Sequence, residues 1–265
     1  MPQDRTLLQQ TATLRVERVS LHAQAPHWSA SYQVASPRLV LPASGATAFR
    51  VAEQSVLLDG LTALSLPTGL PYQMKPFAGA ERASIVVSAQ PGVASALLDA
   101  PSGCAAWSLA PRALWLLRRH WRAVIAGDAD PQWTQPLLQR VLYDAAPAIR
   151  GQGRSLAAVQ RAQHFMAART ADIGAVPWTL HDVADAACCS LFHLARSFRK
   201  HTGLSLHGYR QRLRLAVALQ RLDEGERDLA ALAHELGYSS QSHLGSAFAR
   251  EIGVTPAQAR FALAG

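Results

Sequence analysis

Cysteine, lysine and long apolar runs are all scarce in this sequence. Three cysteines, two of them adjacent at Cys188-Cys189, cannot build a disulfide framework and lack the paired spacing of a zinc site. They are therefore expected to be small buried apolar residues. No stretch approaches the roughly 18 uninterrupted apolar residues of a membrane span, and the opening Met1-Pro2-Gln3-Asp4-Arg5 lacks the apolar core of a secretory signal. A cytoplasmic location without membrane contact is the expectation. Charged residues make up only 17% of the chain and apolar residues 49%, a balance that excludes wholesale disorder. At 265 residues there is length for two separate cores.

The net charge is +8, which suits a polyanionic partner but equally suits an arginine-rich proteome, since 24 of the 26 basic residues are arginine. Placement says more than the total. From Leu191 to Arg221 there are seven basic residues (Arg196, Arg199, Lys200, Arg210, Arg212, Arg214 and Arg221) and no acidic one. By contrast Leu236 to Gly265 holds only Arg250 and Arg260 against Glu251. If the partner is a polyanion, the earlier segment is expected to carry most of the electrostatic affinity.

The chain changes character along its length. Between Leu14 and Ser88 short apolar runs such as Leu39-Val40-Leu41 and Ile85-Val86-Val87 are punctuated by Pro and Gly, which predicts brief strands closing into a β-barrel or sandwich. After Pro101-Ser102-Gly103 helical spacing takes over. Pro111 is placed to open a helix bearing Leu114, Leu117, Trp121 and Ile125 that stops at Gly127, and a second helical pattern begins at Pro136. These two amphipathic helices, in a segment 111–150, read as a lid or, through the Trp115/Trp121 face, a dimerisation surface or signal relay. Gly151-Gln152-Gly153 marks a flexible boundary, beyond which Ser155 can cap a helix and everything to Gly265 reads as helical.

That helical half, 155–265, contains a duplication. A shift of fifty positions places Phe198 on Phe248, Gly203 on Gly253, Ser205 on Thr255 and Ser190 on Ser240, and a shift of forty-nine places Leu180 on Leu229 and Ala184 on Ala233. Each copy predicts a helix, a short turn, a Ser-capped second helix and a glycine stop, the layout of a helix-turn-helix. The apolar positions are core. Function belongs on the opposite faces.

The first copy, from Leu180 and Ala184 through Ser190, Leu194, Arg196, Phe198-Arg199-Lys200, Gly203, Ser205 and Tyr209, resembles the first helix-turn-helix of AraC/XylS-type transcriptional regulators. The second, Leu232-Ala233, Gly237-Tyr238, Gln241-Ser242, Leu244, Phe248, Gly253, Thr255-Pro256 and Arg260, resembles that family's C-terminal signature. It departs from the pattern at Ala259, where the family usually has Tyr, and at Gly245-Ser246. The resemblance implies double-stranded DNA as partner, with two units entering successive major-groove segments about 34 Å apart. It places Phe192, Ala195 and Arg196 on the base-facing side of the first recognition helix, with Ser190 and His193 beside them. Arg196 can grip guanine with two hydrogen bonds, Phe192 and Ala195 can touch thymine methyls, and Arg199 and Lys200 are placed for phosphates. In the second unit the corresponding face offers Ser240, Gln241, Ser242, His243 and Ser246, with Arg250 as its cation.

The resemblance further implies an α+β chain whose residues 1–110 form a cupin-like regulatory domain. Cupin enzymes hold a metal through a His-x-His pair, and no His-x-His occurs here. Pro67-Thr68-Gly69-Leu70-Pro71-Tyr72 puts a tyrosine where a later metal ligand would sit, so no metal, no cofactor and no catalytic residue is expected. Trp28, Tyr32 and Tyr72 are the candidate walls of a pocket for a small-molecule effector. A second copy of the chain and RNA polymerase complete the expected partners. The main reading is a sequence-specific transcription regulator, activator or repressor. The competing ones are an architectural DNA binder and a cupin enzyme fused to a DNA-binding domain.

Overall fold

The structure is a computed structural model and describes residues 3–22, 27–52, 54–77, 82–93, 98, 105–149, 154–171 and 178–264. It is α+β and divides into two compact units, one of residues 1–109 and 116–146, the other of residues 110–115 and 147–264. The expected boundary at Gly151-Gln152-Gly153 lies outside the described residues.

Among the described residues eleven strands form two sheets. The larger runs β1-β2-β9-β4-β7-β10-β11, built from β1 (Gln3–Gln10), β2 (Leu14–Leu21), β4 (Arg38–Ser44), β7 (Thr62–Leu66), β9 (Arg82–Ala89), β10 (Ala105–Ser108) and the two-residue β11 (Ala146–Pro147). The smaller runs β3-β8-β5-β6, from β3 (Tyr32–Gln33), β5 (Thr47–Val51), β6 (Gln54–Leu58) and β8 (Pro71–Pro76). At the centre of the larger sheet Val87 of β9 pairs with Val16 on one side and Leu39 on the other. Asp59 makes the turn into β7, its carboxylate accepting from the Leu61 amide at 2.9 Å and the Thr62 hydroxyl at 2.8 Å.

Of the two expected closures, barrel or sandwich, the strands form two facing sheets and no closed barrel. Their shared core takes Val19, Val40, Leu64 and Val86 from one sheet and Phe49, Leu58, Tyr72 and Met74 from the other. A cavity of about 40 Å³, room for a water molecule or two, lies between the sheets. Two strands escape the sequence pattern. β1 is an edge strand whose residues are mostly exposed, and β10 follows a segment read as the start of the helical region.

Helices α1 (Pro111–Ala126) and α2 (Thr134–Tyr143) follow, starting and stopping close to the expected residues. Arg118 of α1 donates to the Ala43 carbonyl. Thr134 of α2 donates to Gln9 Oε1 of β1 at 2.7 Å and lies 2.9 Å from His120 Nε2. Burial pushes the His120 imidazole below its ordinary pKa, so it sits there uncharged at neutral pH. Trp115 and Trp121, expected on an open dimerisation face, are buried within the single chain. The large apolar side chains left exposed in this segment are Ile125, Trp133 and Tyr143.

The second unit is all helix: α3 (Arg154–Ala171), α4 (Leu180–Ala186), α5 (Leu191–Thr202), α6 (Leu206–Asp223), α7 (Leu229–Glu235), α8 (Gln241–Ile252) and α9 (Pro256–Leu263). Ser155, expected as a cap, instead lies in the first turn of α3 with its hydroxyl 2.9 Å from His201 Nε2. The duplication is visible in the helix boundaries, α5 and α8 standing fifty residues apart and α4 and α7 forty-nine. Ser190 and Ser240 cap α5 and α8, and Ser205 and Thr255 cap α6 and α9. Gly203 and Gly253 end α5 and α8 at φ of 77° and 92°, a left-handed turn for which glycine carries no steric cost.

Phe198 is fully buried, edge-on to Tyr209 with ring centroids 5.2 Å apart, and Phe248 is its buried counterpart. Phe192, six residues earlier and on the other side of α5, is 80% exposed. Truncating Phe198 to Ala should accordingly destabilise the chain by about 3–5 kcal/mol, as for other large core deletions. Phe192→Ala should cost less than about 0.5 kcal/mol. Urea unfolding followed by far-ultraviolet circular dichroism, to which the helices contribute most, distinguishes the two; equal losses would show that the faces of α5 are misassigned.

Candidate nucleic-acid interface

Each recognition helix is set by the face it hides. Leu194, Ser197, Phe198, His201 and Thr202 of α5 are buried, which leaves Phe192, His193, Ala195, Arg196, Arg199 and Lys200 exposed together on the other side. In α8 burial of Leu244, Ala247, Phe248 and Ile252 leaves Gln241, Ser242, His243, Ser246 and Arg250 exposed. Ser190 and Ser240 stand at the helix starts, where their hydroxyls accept from the His193 amide at 3.3 Å and the His243 amide at 3.1 Å. Their first task is capping. His243 is further held by Ser239, with Oγ 3.0 Å from Nδ1, and by an edge contact to the Tyr238 ring.

The two helix-turn-helix units stand in tandem, each displaying an exposed outer face on its second helix. Residues 183–261 fit the family model described as a helix-turn-helix domain. An AraC-like transcription regulator of Streptomyces lividans is 40% identical over 83 residues. The C-terminal segment is an AraC-type helix-turn-helix domain. That alignment covers 31% of this chain and 27% of the relative, so this chain matches about a quarter of that relative's length. The transcriptional regulator NimR of Escherichia coli is 26% identical over 223 residues, 83% of this chain and 77% of that protein. Among solved structures, fatty-acid-bound ToxT of Vibrio cholerae aligns over 96% of this chain and 97% of its own, with 12% identity and a TM-score of 0.37.

Within the AraC-type domain the run of seven basic residues separates into two groups. Arg196, Arg199 and Lys200 are exposed and enter no ion pair among the described residues. Arg221 is spent on Glu226 at 2.6 Å and Glu235 at 3.2 Å. Arg210 stacks on the Trp178 ring at 4.0 Å and donates to the Trp178 carbonyl at 2.8 Å. Its Nε is buried without a hydrogen-bond partner, and burial, with the neighbouring charge of Arg214, pushes its pKa down to about 10. Of the seven charges in this run, Arg210 and Arg221 are thus engaged within the fold. In the second half, Arg250 lies 3.6 Å from Glu251, and Arg260 donates to the Arg227 carbonyl at 3.0 Å.

Residues that the sequence reading did not assign as DNA contacts line a cleft of about 540 Å³ between the two helix-turn-helix units: His207, Gln211, Arg212 and Arg214 of α6, with Tyr238. Gln211 donates to the Tyr238 hydroxyl at 2.9 Å, and Arg214 lies over the Tyr238 ring at 5.9 Å. Burial pushes the Tyr238 phenol up to about 12, so it stays neutral and accepts that hydrogen bond. The available signal was the two-residue spacing of Arg210, Arg212 and Arg214, which spreads three cations around one helix rather than along one face.

Elsewhere, Cys188 is exposed and Cys189 half-buried, which corrects the expectation that both fill core space; Cys188 occupies the turn between α4 and α5 with a φ of 54°. The third cysteine, Cys104, lies outside the described residues. Of the three aromatic candidates in the β unit, Tyr72 lines the small cavity and Tyr32 packs against it at 5.6 Å. Trp28 instead carries Arg50 on its face at 4.3 Å. Among the described residues no three His, Cys, Asp or Glu side chains gather closely enough to hold a metal ion, and no helix is long and apolar enough to cross a membrane.

Proposed function

We propose that this chain is a sequence-specific, DNA-binding transcription regulator, acting in the cytoplasm, whose β unit receives a small-molecule or partner signal. The observation that carries the reading is the exposed face of α5, where one arginine at the middle of the helix stands beside an exposed phenylalanine and an alanine, with two further cations a turn away. Arg196 offers two parallel donors to guanine, Phe192 and Ala195 offer apolar contact to thymine methyls, and Arg199 and Lys200 reach phosphates. The corresponding face of α8 is rich in serine, with Gln241 suited to adenine and Arg250 partly occupied by Glu251. On this reading α5 dominates both affinity and discrimination, and the protein is a regulator rather than an enzyme. A second copy of the chain and RNA polymerase remain its expected protein partners, and α1 and α2 its expected dimerisation or relay segment.

Reading and anchoring separate experimentally. On a duplex carrying a site selected by the wild-type protein from random DNA, Arg196→Ala should cost about 1–3 kcal/mol, and much less on a duplex of random sequence. Arg199→Ala combined with Lys200→Ala should weaken both duplexes alike and lower the slope of log affinity against log salt by about two, more than Arg250→Ala does. A uniform loss for Arg196→Ala would move that residue to the phosphates and favour an architectural DNA binder.

The signal-receiving half rests on the apolar interior between the two sheets and on Tyr72 at its cavity. To occupy this cavity, with about 40 Å³ free, an organic effector would displace core side chains. That displacement is what would make occupied and empty states differ. Removing residues 1–150 should leave a fragment that binds DNA but no longer answers to the effector; a fragment that retained the full response would place sensing in the helical half.

A further inference from the structure

One charged side chain stands on the core face of the β unit with no counter-charge among the described residues. Side chains alternate along a strand, so Arg38 of β4 lies on the same face as Val40, which belongs to the core between the two sheets. Arg38 lines the cavity there. Its Nε donates a long bond to the Ser36 carbonyl at 3.4 Å, and among the described residues its two terminal nitrogens have no acceptor. The carboxylate on that face, Glu17 of β2, is already engaged: Arg5 Nη1 reaches one of its oxygens at 3.2 Å and Arg15 Nη2 the other at 2.9 Å. Arg5 is engaged as well, its second terminal nitrogen lying 3.2 Å from Gln3 Oε1. Burial holds the Arg38 guanidinium below the ordinary arginine pKa, yet an arginine stays charged at neutral pH. A charge left in this position destabilises the interior unless an anion joins it.

The remaining lining restricts which anion fits. Val19, Leu21, Phe49, Leu66, Met74 and Val86 make the walls apolar, and Tyr72 and Ser84 add one hydroxyl each. The two terminal nitrogens of a guanidinium form a fork that matches the two oxygens of a carboxylate. Apolar walls select a body without hydroxyls, since those of a sugar would be buried largely without partners. A second carboxylate would find no free cation, because Arg5 is committed to Glu17. Two arginines repel a metal ion. With about 40 Å³ free the body has to be short, and Met74, unbranched and flexible, is the wall best able to move for it. We infer that the β unit binds a small monocarboxylate with an apolar body, the carboxylate on Arg38 and the body between the sheets against Phe49 and Met74. The inference rests on the reading of this unit as the receiver of a small molecule and gives that molecule a chemical class.

The test uses the full chain with hexanoate and benzoate as probes, and hexanamide and benzamide as neutral counterparts of similar shape. Binding is read by isothermal titration calorimetry and by the rise in thermal midpoint that a ligand of the folded state produces. At least one acid should bind the wild type about tenfold or more tightly than its amide, the worth of hydrogen bonds to a charged group. Arg38→Gln should remove that advantage and Arg38→Lys retain part of it. Arg18→Gln, which deletes a cation of β2 outside the lining, should change nothing. Because Arg38→Gln deletes an unmatched charge, its midpoint without ligand should not fall below that of the wild type, which separates lost binding from lost folding. Acids and amides that bound alike, or acids that bound Arg38→Gln as they bind the wild type, would overturn the inference. A full chain that bound neither acid would do the same. The reading beneath it is judged separately, by affinity for the duplex carrying the selected site. A neutral compound that altered this affinity while both acids failed to bind would keep the β unit as a receiver and remove the carboxylate; acids that bound through Arg38 without altering it would establish the site and remove its signalling role.

Discussion

The helical unit depends on one continuous helix to which both halves of the duplication are fastened. At 18 residues, α6 extends about 27 Å. The first half is secured by burial, with Tyr209 of α6 against Phe198 of α5. The second is secured by a polar latch, Gln211 to the Tyr238 hydroxyl with Arg214 over the same ring. Tyr238 follows Gly237, whose φ of 71° is a left-handed conformation that favours glycine. A methyl group there would lie 2.8 Å from Arg214 Nη2, a contact that a shift of the guanidinium relieves. A glycine, a phenol and an arginine thus meet where the second half of the duplication joins α6.

The duplication was legible because the signals that begin and end helices are local. Ser190, Ser205, Ser240 and Thr255 each cap a helix, Gly203 and Gly253 each end one, and none needs a distant contact to do so. The apolar positions followed from helical spacing alone. Charge was less legible. Arg196 and Arg210 look alike in sequence, yet one is exposed and the other lies on Trp178, a residue 32 positions away. Arg221 is neutralised by Glu226 and Glu235, which lie beyond the run in which it was counted. Net charge over a window cannot reveal which cations the fold has already used, because that depends on partners brought together by tertiary structure.

In the β half the strands announced themselves but their closure did not. Buried runs such as Ile85-Val86-Val87 mark a central strand wherever they occur, whereas the choice between one closed barrel and two sheets is made by pairings such as β4 with β9, more than forty residues apart. The edge strand β1 lacked a signal because, with most of its residues exposed, its sequence is polar almost throughout. The exposure of Cys188 was hidden for a related reason. A cysteine is usually buried, and only the backbone reversal between α4 and α5, with φ at 54°, brings this one to the surface.

The two recognition helices share a length, a cap and a buried face, yet α5 displays Phe192, Arg196, Arg199 and Lys200 where α8 displays Ser242, Ser246 and Arg250. If both enter DNA as proposed, the target is asymmetric in information as well as in shape. The half under α5 would be held to a narrow vocabulary of bases, and the half under α8 would drift with little penalty. Promoters could then acquire or lose this protein by changes in a few base pairs, and a duplicated domain would behave, for the evolution of its targets, as one reader with a loose second hand.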